Sequence, residues 1–397
     1  MRVLVIGAGP AGTRCAERAA AAGMSVTLCG AEPALPYDRV ALGKVLSGQA
    51  DPPALISHDA ARLCHAGITY RPATRITALD VASRTATTAR GETLPFDRAV
   101  IATGSDALRL PLPGADLPGV HVYRSIGDVL ALRRSVTTGT RVAVIGGGLL
   151  GLEAAACLSQ RGARVTVVHA VGWPMERQLD PAAGALLAKQ LGAARRLSFA
   201  MPAKSEAIEG ETHVRALRLA DGRRLPCDLV VMAVGVRPSI ALARAAGLDV
   251  ARGIVVDDAM RSSAPEILAI GECAEHRGVV CGLVAPALAM AETAAATLRG
   301  EAATYAPRPD TAALKVSGID VWSAGEIEPA DAEAITLSDT SAGRYRRLWL
   351  RGGRLIGAVL YGDTADAPFY LSLMADGRDV GAIRAMLPFG LAFQDAA

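Results

Sequence analysis

A doubled α/β unit built on parallel sheets, followed by a smaller α+β segment, is the fold class that the 397-residue sequence predicts. Three observations carry that expectation. A short apolar strand running into a glycine-rich turn and then an alanine-rich helix occurs twice, with first glycines 139 residues apart. A second stretch recurs as well, with its copies 131 residues apart. Beyond about Thr304 the pattern changes to short strand-like runs separated by Gly and Asp.

The chain opens with Val3-Leu4-Val5-Ile6, a fully apolar run that suits a strand buried on both faces. Gly7-Ala8-Gly9-Pro10-Ala11-Gly12 follows, and the stretch from Pro10 to Ala22 predicts a helix stopped by Gly23, with Val26–Cys29 as the next strand. The unit restarts at Arg141 with strand Val142–Ile145, turn Gly146-Gly147-Gly148-Leu149-Leu150-Gly151, a helix to Gly162 and strand Val165–Val168. The second echo pairs Ala89–Asp97 with Ala220–Asp228, each copy running through an apolar strand into Gly104 or Gly235. Pro111, Pro113 and Pro118 make segment 108–119 read as a linker between the copies. The predicted strands of the last segment include Arg347–Leu350 and Leu355–Leu360.

Each glycine of a G-x-G-x-x-G turn has its own task. The first permits the tight turn, the second lets the backbone approach a pyrophosphate, and the third lets helix and strand pack. The helix N-terminus attracts the anion. Two such turns, each between a strand and a helix, predict two Rossmann-like dinucleotide sites. Ribose recognition asks for an acidic side chain about 20 residues past the turn, and Glu32 stands 20 residues after Gly12. The second copy ends its strand in His169-Ala170, with neither a carboxylate nor an arginine to mark the nucleotide.

Composition excludes several classes. Aromatic residues make up only 4%, and 42 basic residues against 39 acidic ones are scattered, so no nucleic-acid surface is expected. The seven cysteines never form C-x-x-C and the six histidines show no ligand spacing, so no metal site is expected. Most of those histidines are expected at the surface or in loops. No apolar run reaches the ~18–20 residues of a membrane span, and the cysteine usage suits reduced thiols, which together suggest a cytoplasmic protein.

The two turns, the strand end Ile101-Ala102-Thr103-Gly104 and the segment Ile267–Glu272 resemble the FAD-dependent pyridine nucleotide oxidoreductases over essentially the whole chain. Pro36–Lys44 is similar to the flavin-proximal segment of the ferredoxin-reductase branch, where disulfide reductases carry a redox-active cysteine; no cysteine lies between Cys29 and Cys64. The runs Met175–Asp180, Gly271–Glu292, Leu314–Glu326 and Gly353–Tyr370 look like the FAD-carrying large subunit of bacterial NAD(P)H nitrite reductase and the electron-transfer subunit of assimilatory nitrate reductase.

That resemblance implies an FAD domain of residues 1–107 and 241–304, an NAD(P)H domain of 108–240 and a C-terminal α+β interface domain of 305–397. It implies an FAD site of Gly7, Gly9, Pro10, Ala11, Gly12, Glu32, Arg39, Lys44, Ile76, Ala102, Thr103, Gly104, Gly271, Glu272, Ala285 and Pro286. Of these, Gly271 and Glu272 match the place that holds the ribityl hydroxyls, and Ala285-Pro286 the helix start facing the isoalloxazine. The NAD(P)H site would take Gly146, Gly148, Leu149, Leu150, Gly151, Glu153, His169 and Gly235. Lys44 and Glu153 match a catalytic pair near flavin N5, against the plainer readings of a solvated lysine and of a glutamate stabilising the first helical turn. The implied cofactors are FAD and NADH, with NADPH as the alternative nucleotide. Hydride would pass from nicotinamide to flavin N5, and single electrons onward to a partner subunit with an iron–sulfur, molybdenum or sirohaem centre. No cysteine-rich or sirohaem region falls within these residues, so nitrate or nitrite reduction is not expected of them alone. A free-standing reductase of rubredoxin or ferredoxin, or an NADH oxidase, would share every one of these residues. A flavin-binding sensor is the reading from another class. The last segment is expected to serve either a homodimer or partner docking.

Overall fold

Strand Arg2–Ile6 lies at the centre of a five-stranded parallel sheet because Val3, Leu4, Val5 and Ile6 are all buried, as a strand covered on both faces requires. Ser25–Cys29 and Arg98–Ile101 flank it in parallel register, with Ile68–Arg71 and Ile267–Ala269 outermost. The computed structural model describes residues 1–307, 311–316, 319–339 and 341–391. Parts of the Leu314–Glu326 run and the last six residues of the C-terminal segment lie outside the described residues.

The chain divides into two compact units. The first comprises Met1–Ala107, Arg124–Val129 and Val236–Pro307. Besides the parallel sheet it holds an antiparallel sheet of Ile76–Asp80, Thr85–Thr88 and Thr93–Pro95. Helices Pro10–Ala21 and Val284–Leu298 are tied side by side, with Arg18 Nε donating to Glu292 at 2.9 Å. Apolar residues of the parallel sheet, these helices and the antiparallel sheet form one core.

The second unit comprises Leu108–Tyr123, Leu130–Gly235 and Arg308–Ala397. Its parallel sheet runs Ser198–Ala200, Arg164–Val168, Arg141–Ile145, Leu229–Met232, Val120–Val122. An antiparallel sheet of Ser205–Glu209, Ala216–Leu219 and Arg224–Pro226 accompanies it. The two parallel sheets thus repeat one plan, down to the register that pairs Arg2 with Ser25 and Arg141 with Arg164. Segment 108–119 differs from its expectation as a linker. Leu110, Leu112, Ala115 and Leu117 pack on the second unit's core, and Pro113 O accepts from Ile208 N–H at 2.8 Å, so the prolines shape a wall of that unit.

The same unit carries a five-stranded antiparallel sheet ordered Thr311–Val316, Ile319–Gly325, Arg354–Tyr361, Arg344–Arg351, Glu333–Asp339, with helix Ala367–Asp376. Leu348, Ala358, Leu360, Tyr370 and Leu373 are wholly buried there. Asp180, itself without exposure, caps helix Pro181–Arg195 by accepting from Ala182 N–H and also accepts from Tyr345 Oη at 2.8 Å.

Candidate functional site: two glycine loops

The two turns superpose in their local chemistry. Gly7 N–H donates to Cys29 O at 2.8 Å and Gly146 N–H to Val168 O at 2.9 Å, closing each turn onto the second strand. Gly7 and Gly146 sit at φ 117 and 115, a region open to glycine. A Cβ on either would stand 2.1 or 2.3 Å from the carbonyl oxygen of Ala102 or Ala233. A Cβ on Gly12 or Gly151 would stand 1.9 or 2.0 Å from the oxygen of Gly7 or Gly146.

The middle glycines are different. Among the described residues, chain neighbours aside, nothing lies within 4 Å of a Cβ built on Gly148, and only Arg39 Nε, at 4.0 Å, approaches one on Gly9. Their backbones are ordinary, φ −76 and −77. Chain packing thus accounts for the outer glycines and leaves the middle ones open, on the side where a pyrophosphate approaches the backbone. The residues therefore fit two dinucleotides.

Capping agrees. Helices Pro10–Ala21 and Leu149–Gln160 begin behind glycines that cannot cap, with no acidic residue in the first turn. Pro181–Arg195 and Ala60–His65, which follow no glycine loop, are capped by Asp180 and Asp59. An uncapped start leaves N–H groups and positive dipole for an anion. Helix Val284–Leu298 also starts without a side-chain cap, with Ala285 and Pro286 as its second and third residues.

Around the first loop, Ala102 touches the turn, Gly271 at φ 75 brings its Cβ position 3.2 Å from Ala11 Cβ, and Gly104 sits at φ 69. Thr103 Oγ1 donates to Ser239 O at 2.8 Å. Glu32 accepts from Tyr37 Oη at 2.9 Å and from Arg39 at 2.5 Å, with the Arg39 guanidinium over the Tyr37 ring. Burial pushes the Tyr37 phenol up to about 12, so it remains a donor. Glu272 accepts from Ser105 Oγ at 2.5 Å and pairs with Arg124. Ile76 opens a strand of the antiparallel sheet and is buried in the same apolar core as Ala11 and Ala102. Lys44 is exposed on the short helix Leu42–Ser47.

Around the second loop, Leu149 and Leu150 open the helix and Gly235, at φ 111, accepts from Leu108 N–H at 3.0 Å. Glu153 is the fifth residue of its helix, past the first turn, so the plainer reading as a first-turn dipole partner does not hold. It accepts instead from Tyr123 Oη at 3.2 Å. His169 and His276 are the exceptions to a surface or loop expectation made for most of the histidines. Both are buried, His276 with Asp258 2.8 Å from its Nε2 and His169 against the loop itself. Gly147 N–H donates to His169 Nδ1 at 3.1 Å, so the ring proton sits on Nε2 and donates to Glu176 at 2.9 Å.

Sequence reasoning missed Tyr37, Ser105, Arg124, Ser239 and Glu176. Tyr37 offered a signal, an aromatic hydroxyl five residues past Glu32 within the quoted Pro36–Lys44 run. Arg124 and Ser239 lie where the chain re-enters the first unit, which no local spacing announces. Burial pushes the Cys15, Cys157 and Cys227 thiols up to about 12 and Cys29 to about 11, which keeps them protonated and unreactive. Among the described residues no group of three or more His, Cys, Asp or Glu is arranged to hold a metal. No helix among them is long and apolar enough to cross a membrane.

Residues 1–297 match the pyridine nucleotide-disulphide oxidoreductase family. The chain belongs to it. This oxidoreductase is FAD- and NAD(P)H-dependent. Residues 311–378 match the rubredoxin NAD+ reductase C-terminal domain. It is 38% identical over 96% of its length to a nitrite reductase [NAD(P)H] of Bacillus subtilis, and 38% identical over 96% to that organism's assimilatory nitrate reductase electron transfer subunit. It spans 48% and 50% of those two relatives. Among solved structures, a covalent putidaredoxin reductase–putidaredoxin complex matches with a TM-score of 0.87 at 26% identity, over 95% of this chain and 94% of that one.

Proposed function

We propose that this oxidoreductase is an electron-transfer component that takes hydride from NADH and delivers single electrons to a metal-centre partner of an assimilatory nitrate or nitrite reductase. The open middle glycine in both loops carries the reading, because it leaves two pyrophosphate approaches on one chain. The first loop, with Glu32, Arg39, Thr103, Gly271, Glu272, Ala285 and Pro286, would hold FAD within residues 1–107 and 241–304. The second, with Leu149, Leu150, His169 and Gly235, would hold NADH within 108–240. The chemistry that FAD supplies when bound is a two-electron store that discharges one electron at a time.

The chain's own side chains supply position and charge. Glu32 is preorganised for a ribose diol by Tyr37 and Arg39, and Arg124 neutralises Glu272 so that its carboxylate can stand among hydroxyls. Lys44 and Glu153 would orient the nicotinamide, with Glu153 fixed by Tyr123. The C-terminal segment 305–397 would serve the partner or a second copy, and the location would be cytoplasmic. The names of the two Bacillus subtilis relatives favour the nitrate or nitrite partner. The near full-length match to a reductase joined to its small redox protein favours a free-standing reductase of a ferredoxin or rubredoxin. Copurification in a fixed complex with a metalloenzyme subunit separates the two.

The decisive test is anaerobic stopped-flow absorbance of the flavin-loaded chain mixed with NADH or NADPH. Rapid bleaching by NADH is expected; no bleaching by either nucleotide overturns the reading.

A further inference from the structure

Where the first loop has Glu32, the second has no carboxylate: the residue 20 beyond Gly151 is Val171. A nucleotide bound there still brings a ribose diol to the strand end. The chain returns to that place with its next turn. Gly147 donates its N–H to His169 Nδ1 at 3.1 Å and accepts from Met175 N–H at 2.9 Å, so the strand end and the returning turn grip both main-chain groups of one loop residue.

Met175 is buried and sits at φ 56, a left-handed conformation that a residue with a Cβ adopts where its surroundings fix it. The residue it aims is Glu176. One carboxylate oxygen accepts from His169 Nε2 at 2.9 Å, and the side chain stays 31% exposed. An ionised carboxylate has about four acceptor positions, so one hydrogen bond from His169 leaves room for hydroxyl donors. The ring of His169 is fixed on its other face by the loop: a Cβ on Gly147 would stand 2.8 Å from His169 Cγ.

We propose that Glu176, positioned by His169, accepts the hydroxyls of the adenosine ribose at the second loop and thereby selects NADH over NADPH. The inference rests on the second loop being the nicotinamide nucleotide site. A diol donates to the carboxylate, whereas a 2′-phosphate brings a like charge against it. Glu176 replaces the strand-end carboxylate from seven residues further on, and His169 acts through it as a positioning residue.

The experiment measures KM and kcat for NADH and NADPH with the flavin-loaded full chain and ferricyanide as acceptor. The unmodified chain is expected to prefer NADH. Glu176→Gln is expected to raise KM for NADH roughly 10-fold to 100-fold, the worth of hydrogen bonds to a charged group. NADPH should not weaken, so the preference narrows and the loss falls on KM rather than kcat. His169→Gln shifts the preference in the same direction by a smaller factor, and Glu176→Ala repeats the narrowing if the glutamine variant misfolds. An unchanged NADH preference in a Glu176 variant that is fully flavin-loaded and bleached by NADH overturns the inference. Absence of bleaching in the unmodified chain overturns the electron-donor reading itself and takes this inference with it.

Discussion

The two glycine loops repeat one backbone with opposite side-chain choices at a single contact. In the first, the loop residue is Ala8 and the strand-end residue is Gly30, where a Cβ would stand 3.2 Å from Ala8 Cβ and 2.7 Å from Tyr70 Oη. In the second, the residues at the same offset are Gly147 and His169, and a Cβ on Gly147 would stand 2.8 Å from the imidazole. Each loop has room for one side chain at this place, and each copy filled it from the other side. The two copies therefore share the glycines that shape each turn and differ in the contact beside them.

That comparison separates glycines required by the protein from glycines required by a ligand, and the largest predicted effect tests the separation. Gly12→Ala and Gly151→Ala drive a Cβ to about 2 Å from a backbone oxygen that cannot swing away. Each is expected to destabilise its unit by about 3 kcal/mol or more, seen as a lowered urea midpoint or insoluble protein. Gly9→Ala and Gly148→Ala meet no such oxygen and adopt an ordinary φ, so both should fold. Gly9→Ala should purify without its yellow colour, and Gly148→Ala should keep its colour while its KM for NADH rises. Equal unfolding midpoints across all four variants would break the distinction.

What the sequence disclosed follows the range of the interactions concerned. Both strand–turn–helix units were legible because an apolar run, a positive-φ glycine and a helix start are consecutive residues. The first loop's carboxylate was legible for the same reason, Glu32 falling at the usual distance from Gly12. Arg124 and Ser239 were not, since they reach Glu272 and Thr103 only through re-entry of the chain into the first unit. Glu176 was hidden by its spacing, 25 residues after Gly151, and by a histidine standing where an acid is usual. Segment 108–119 misled in the other direction. Its prolines mark turns, and a run of turns also lines a core when Leu110, Leu112, Ala115 and Leu117 pack on it.

The exchanged contact itself can be tested by moving one copy's solution into the other. Gly147→Ala alone pushes the His169 ring off the loop and breaks its hydrogen bond, at a cost of about 1–3 kcal/mol. Gly147→Ala combined with His169→Gly recreates the arrangement of Ala8 and Gly30 and should recover much of that loss, giving a coupling of about 1 kcal/mol or more in a double-mutant cycle. Additive effects would show that the two residues do not exclude one another.

The smallest predicted effect lies where the copies agree. Arg2 and Arg141 each open a central strand and pair with Asp97 and Asp228, the acidic residues that immediately precede the neighbouring strand in each copy. Hydrogen bonds from the Arg2 side chain and then its backbone N–H hold Asp97 down at about 2, and the Arg141 side chain lowers Asp228 likewise. In an unfolded chain an aspartate titrates near ~3.9. A carboxyl whose folded value is depressed binds fewer protons than its unfolded counterpart, so its contribution is complete above about pH 4 and fades as pH falls toward 2. Both pairs are exposed and screened by solvent and salt, so Asp97→Asn and Asp228→Asn should each lower the urea midpoint only slightly at neutral pH. For Asp97 the difference from the unmodified chain should shrink through the window from about pH 4 to pH 2, and for Asp228, which is also lowered, it should shrink as pH falls below about 4. A deficit in either variant that persists unchanged at pH 2 would mean that the aspartate acts there through packing, and that the two strand starts are alike in geometry alone.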